Sequence, residues 1–271
     1  MLNRTIATIV LFAFASVGLA QQSEKAGATS DAAHHYFHAK ETAHAAVWGY
    51  TGNIGPANWA DLSPEYSLAK SGKRQSPIDI KSSRSGPLPK IKFQYQPAPV
   101  RMVYNGHTIE EEEQEGSTIT VGDDSYGLKQ FHFHSPSEHT VDGKSFSMEM
   151  HLVHKADSGQ VAVVAVLIEQ VDSPNESFAS LLETLPTKAN PRIASSRQVD
   201  AASLLPTNRG YFAYEGSFTT PPCTEGVKWY VLQQPIGLSK KQIDAFRKTI
   251  DGNNRPIQPR HDRIIHRSAG K

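Results

Sequence analysis

The residues best equipped for chemistry are concentrated in one short stretch, FHFHSPSEHT, which carries His132, His134, Glu138 and His139. On an extended strand, residues two apart project to the same face. Gln130, His132 and His134 therefore share one face, and Phe131 and Phe133 point the other way, toward an apolar core. Two imidazoles aimed together make up most of a tetrahedral nitrogen site, and a third ligand must come from elsewhere. The run MEMHLVH offers it: Glu149 and His151 share a face, while His154 falls on the opposite one. If the two runs lie side by side, His151 joins the first pair. Three neutral imidazoles leave a fourth position for water, whose pKa can then fall to about 7. A metal-bound imidazole also needs an acceptor for its other N–H. Gln130, two before His132, and Glu149, two before His151, are placed for that role. On spacing alone, zinc, iron and copper all stay open, with hydrolases and cupin-like oxygenases among the functions. The lack of an obvious carboxylate ligand argues against an iron facial triad.

Rigid strands must carry such a site. From Trp48 onward the chain is rich in short β-branched and aromatic runs separated by Gly, Pro, Asn and Asp. KIKFQY, STITVG, GLKQFHFH, SFSMEMHLVH, QVAVVAVLIEQV and KWYVLQQPI all read as strands. VAVVAVLI is apolar at nearly every position, which predicts a central strand buried on both faces. SKKQIDAFRKTI has helical spacing at Ile243, Phe246 and Ile250, with Ser239 as N-cap. SPNESFASLLETLP also reads as helical. The acidic run Glu111–Glu115 reads as a solvated edge or hairpin. The expected fold is mainly β: a single domain over 47–271, with surface helices on a large sheet.

The first twenty residues form a separate unit. Arg4 precedes an apolar run centred on Ile9–Phe14, and Gly18-Leu19-Ala20 supplies small residues before Gln21. This predicts a cleaved signal peptide over 1–20, because the run is too short for a membrane span. Residues 21–46 read as a linker with a short His-rich helix, on which His34 and His38 share a face. The whole chain holds 28 Lys+Arg and 27 Asp+Glu, so removing Arg4 leaves the two signs equal. That balance points to no nucleic-acid or membrane-surface partner. An exported protein, periplasmic or secreted, is expected. The single cysteine, Cys223, cannot form an intrachain disulfide.

Taken together, RQSPIDI, QFHFH, SEHT, MEMHLVH and GSFTTPPCTEGVKW resemble the α-class carbonic anhydrases in order and separation, with WGYTGNIGPANW and NGH in support. The similarity runs from Trp48 to Ile264 and is nearest to the bacterial exported members. It implies a twisted, mostly antiparallel central sheet of about ten strands with a few surface helices. It also implies Zn2+ on His132, His134 and His151, and reversible hydration of carbon dioxide to bicarbonate by zinc-bound hydroxide. His139 matches a structural histidine rather than a ligand. Thr219 matches a gatekeeper whose hydroxyl donates to Glu138. Val153, Val163, Phe218 and Trp229 match an apolar carbon dioxide pocket, with Phe218 in place of a common leucine, and Thr220 matches a polar residue near bicarbonate. His107 stands at the proton-relay position, and Tyr50 at one that orders relaying waters. Asn253 matches a residue whose backbone carbonyl orients the second zinc histidine. Many exported relatives pair a cysteine at the position of Cys223 with one upstream of QSPI, which this chain lacks. A homodimer stays open, as does the alternative of a non-catalytic binding module on the same fold.

Overall fold

The computed structural model describes residues 46–112 and 116–269. The expected signal peptide and nearly all of the His-rich lead segment, including His34 and His38, lie outside the described residues. Among the described residues no helix is long and apolar enough to cross a membrane.

Ten strands follow one another across the main sheet. In chain order they are β1 (Arg84–Ser85), β2 (Ala98–Tyr104), β3 (Ile109–Glu112), β4 (Asp124–His134) and β5 (Met148–Lys155), then β6 (Val161–Val171), β7 (Arg192–Val199), β8 (Tyr211–Ser217), β9 (Glu225–Leu232) and β10 (His266–Arg267). Their spatial order is β7-β2-β3-β4-β5-β6-β9-β8-β10-β1. Neighbours are antiparallel except β6 with β9 and β10 with β1. Three shorter strands pair beside this path. In β6, every residue from Val161 to Ile168 is buried, as a central strand covered on both faces requires.

The two faces of the sheet carry separate apolar clusters. One contains Phe131, Phe133, Met150, Leu152, Val164 and Val166. The other contains Val153, Val163, Ala165, Phe218, Trp229 and Val231. Helix α1 (Lys240–Arg247) packs on the first, burying Ile243 and Phe246. Its start is fixed by a capping box: the Ser239 hydroxyl accepts from the Gln242 N–H, and the Gln242 side chain accepts from the Ser239 N–H. Phe246 meets Phe133 at 4.6 Å between ring centroids, so α1 braces the back of the strand that carries the histidines.

A β-bulge sets which residues face which side. Leu128 stands opposite His154, but the next paired residue, Gln130, stands opposite Val153, leaving exposed Lys129 as the extra residue. Tyr126 and Leu128 therefore share a core with Phe131 and Phe133, although strict alternation would separate them. In an unbulged strand of the same sequence, with Lys129 taking its place in the alternation, Gln130, His132 and His134 would continue the face of Leu128 and enter the apolar core.

Two local expectations need correction. SPNESFASLLETLP is not a continuous helix but a 3-10 turn, Glu176–Phe178, followed by one α-turn, Ala179–Leu182. The Thr184 hydroxyl donates back to the Ser180 carbonyl and Pro186 follows, so the helix stops there. Nor is the acidic run a solvated edge throughout. Glu110 to Glu112 lie in β3 between β2 and β4, and Glu111 is buried, its Oε1 accepting from the Arg101 N–H at 2.7 Å.

Candidate metal centre

The pairing of β4 with β5 puts His132 directly opposite His151, with His134 one step of alternation away. Ring centroids of the three are 4.6 to 5.2 Å apart. One nitrogen from each lies within 4.8 Å of one from each of the others. All three side chains are buried.

Each ring is held by its other nitrogen. His132 Nδ1 donates to Gln130 Oε1 at 2.7 Å, His134 Nδ1 to the Asn253 carbonyl at 2.8 Å, and His151 Nε2 to Glu149 Oε1 at 2.8 Å. That assignment leaves Nε2 of His132, Nε2 of His134 and Nδ1 of His151 as the remaining donors. His134 Nε2 is buried with no hydrogen-bond partner, a costly state for a polar atom unless something binds it. Burial first, then the neighbouring rings, holds the His132 pKa well below its usual value, and burial lowers that of His134. Both rings are therefore neutral at pH 7 and can offer a lone pair. Neutral nitrogen donors with an acceptor behind each fit a zinc ion.

Glu149 anchors a second layer. Its Oε1 accepts from His151 and from His139 Nδ1 at 2.6 Å, while Oε2 accepts from the N–H groups of Glu138 and His139. Burial alone would raise its pKa, yet the facing His139 and His151 hold the carboxyl well below the usual carboxylate range. His139 Nε2 bonds the Tyr214 hydroxyl at 2.6 Å, and that hydroxyl bonds Ser76 Oγ at 2.9 Å. Both ring nitrogens of His139 are thus engaged, and its grouping with Glu149 and His151 is a hydrogen-bond relay.

The remaining predicted residues surround this centre. Val153, two past His151, is opposite Val163, which is opposite Trp229, forming one buried row across β5, β6 and β9. Trp229 packs against His151 at 4.9 Å and donates its indole N–H to the Ser217 carbonyl. Phe218 belongs to the same cluster; Thr219 is buried and Thr220 half-buried. Glu138 Oε1 accepts the Arg255 N–H at 2.8 Å, and Oε2 is buried without a hydrogen-bond partner, 4.0 Å from His151 Nδ1. The Thr219–Glu138 hydrogen bond implied by the resemblance is thus not made here, and the acceptor it would use stands free. His107 is half-buried and stacked on Trp48 at 3.6 Å, 6° from parallel. Tyr50 packs edge-on against Trp48 and Trp59. Cys223 is a buried free thiol whose pKa burial pushes up to about 11.

Sequence reasoning missed four contributors. Tyr214 and Ser76 extend the His139 relay. Arg255, fully buried, donates to Gln75, Ser76 and Ala69 and fixes Glu138 through its own N–H. Glu110 stands opposite His132 on the ligand face, its carboxyl pushed up to about 7 by burial and by Glu112. All four depend on contacts between distant segments, which no local spacing signals.

Residues 54–269 match the model of the eukaryotic-type carbonic anhydrases. The chain belongs to the α-carbonic anhydrase family. It is 42% identical over 220 residues to the carbonic anhydrase of Neisseria gonorrhoeae, covering 80% of this chain and 86% of that one. It is 40% identical to the Klebsiella pneumoniae enzyme, covering 83% of this chain and 92% of that one. The α-carbonic anhydrase of Thermovibrio ammonificans, solved with the inhibitor sulfanilamide, superposes with a TM-score of 0.79 at 40% identity, over 82% of this chain and all of that one. This chain is accordingly a carbonic anhydrase, and its substrate pair is carbon dioxide and bicarbonate.

Proposed function

We propose that the chain hydrates carbon dioxide reversibly to bicarbonate and a proton, with zinc held by His132, His134 and His151. The observation that carries this reading is the convergence of three buried histidines, each tied down at its other ring nitrogen. Zinc supplies a Lewis acid that makes hydroxide available at neutral pH.

The chain's own residues do the rest. Gln130, Asn253 and Glu149 fix the direction of the three rings. The Val153–Val163–Trp229 row, with Phe218, forms an apolar wall suited to a substrate without a net dipole. Glu138 is acceptor-only when ionised, so its free oxygen suits a Thr219 hydroxyl turned toward it, leaving that hydroxyl's own oxygen to accept from the nucleophile and orient it. Thr220 supplies a polar group beside the product. Burial lowers the His107 pKa, so the ring is neutral at pH 7 and can take up the released proton. Tyr50, beside Trp48, belongs to the same proton route. The N-terminal pattern around Arg4 and Ala20 supports export to the periplasm or medium.

Metal analysis alongside stopped-flow carbon dioxide hydration tests the reading. One zinc per chain and rapid hydration blocked by a primary sulfonamide are expected. Hydration at the uncatalysed rate with zinc fully bound would leave a binding module on this fold instead.

A further inference from the structure

We propose that Asn253 is a positioning residue that sets the separation between the relay histidine and the metal ligands; this rests on the reading of His107 and the three-histidine centre above. Asn253 is buried, at 4% exposure, and is connected in four directions. Its carbonyl receives His134 Nδ1 at 2.8 Å. Its side-chain Oδ1 accepts the Ser135 N–H at 2.8 Å, and its Nδ2 donates to the Phe133 carbonyl at 3.0 Å. The same Nδ2 donates to the His107 carbonyl at 3.1 Å. One residue thus holds the ring of His134, a peptide group on either side of it, and the backbone of His107.

The loop carrying His107 is built to be held this way. Gly106 sits at φ +94°, in the left-handed region, and Asn105 Oδ1 accepts the N–H groups of both His107 and Thr108 at 3.0 Å. The Thr108 hydroxyl donates to the Phe133 carbonyl, the group Asn253 also binds. The loop is therefore fastened to β4 at the peptide preceding His134, while Trp48 stacks on the His107 ring. Only a carboxamide of this length has an acceptor for Ser135 and two donors for the carbonyls of Phe133 and His107. Aspartate offers acceptors alone and would face two carbonyl oxygens.

Loss of the amide should lengthen the proton path more than it disturbs the nucleophile. The test uses the zinc-loaded full chain, with Asn253→Ala, Asn253→Asp and His107→Ala compared by stopped-flow hydration. Asn253→Ser serves if the alanine variant does not fold. In Asn253→Ala, kcat is expected to fall about tenfold and kcat/KM by less than about threefold, since proton transfer enters kcat. Free imidazole in the assay should restore kcat, and zinc should leave faster to a chelator. The double variant Asn253→Ala/His107→Ala should lose no more kcat than His107→Ala alone. Parallel falls in kcat and kcat/KM without imidazole rescue, or an additive double variant, would overturn the proposal. A kcat loss in His107→Ala but none in Asn253→Ala would sink it alone. An unchanged kcat in His107→Ala would sink the relay reading and this inference with it.

Discussion

Strands β4 and β5 bury histidines on both faces, and the two faces use them differently. On one, His154 lies among Leu128, Leu152 and Ala162, with its Nε2 bonded to the Tyr95 hydroxyl at 2.8 Å and its Nδ1 unpartnered. On the other, His134 has the same arrangement, one nitrogen bonded and one unpartnered. Burial lowers both pKa values, that of His154 to about 3. Burial, neutrality and an orphan nitrogen therefore do not distinguish a ligand from a packed side chain. Convergence does: His134 meets nitrogens of His132 and His151, whereas His154 belongs to no such group of three ligand side chains among the described residues.

The sharpest way to break this contrast is to remove a ligand. His134→Ala should abolish zinc binding and leave hydration at the background rate, whereas His154→Leu should keep one zinc per chain; metal analysis reads both. Deleting Lys129 removes the bulge but makes Leu128 and Gln130 neighbours on opposite faces, so a folded product should still bind one zinc per chain. On the apolar face, Phe133→Ala opens a hole beside Phe246 and should cost about 3–5 kcal/mol of stability in denaturant unfolding, with zinc stoichiometry retained in the folded fraction. On the polar face, Glu149→Gln should weaken zinc binding by about 10–100-fold, measured by competition with a chelator.

The effect of pH is small near neutrality. The His154 pKa is depressed in the folded state, so the unfolded chain binds the proton first as pH falls. Its contribution to stability is complete above about pH 6.5 and is lost at up to about 1.4 kcal/mol per pH unit toward pH 3. His154→Gln should make the stability–pH profile shallower by up to that slope in this window.

Much of the centre was legible because a strand has a period of two. HFH declares that His132 and His134 share a face, and EMH does the same for Glu149 and His151. Burial along β6 was equally plain from VAVVAVLI. The acidic run misled because charge was read without its neighbours: Glu111 is in a strand between two others, where Arg101 supplies its donor. Asn253, Thr219 and His107 carried no local signal and entered through the family resemblance. Tyr214, Ser76 and Arg255 entered only with the coordinates, since each acts across 75 or more residues of chain.

The amino-acid order by itself determined which side chains share a face of each strand, because alternation is a local property of extended backbone. Tertiary structure decided what lies across from them. The register that sets His132 against His151, the bulge at Lys129 that puts the histidines on the face opposite Leu128, and the arrival of Asn253 behind His134 all follow from pairing between distant segments. Such pairing is fixed by the burial of two faces at once, and no single segment contains that information.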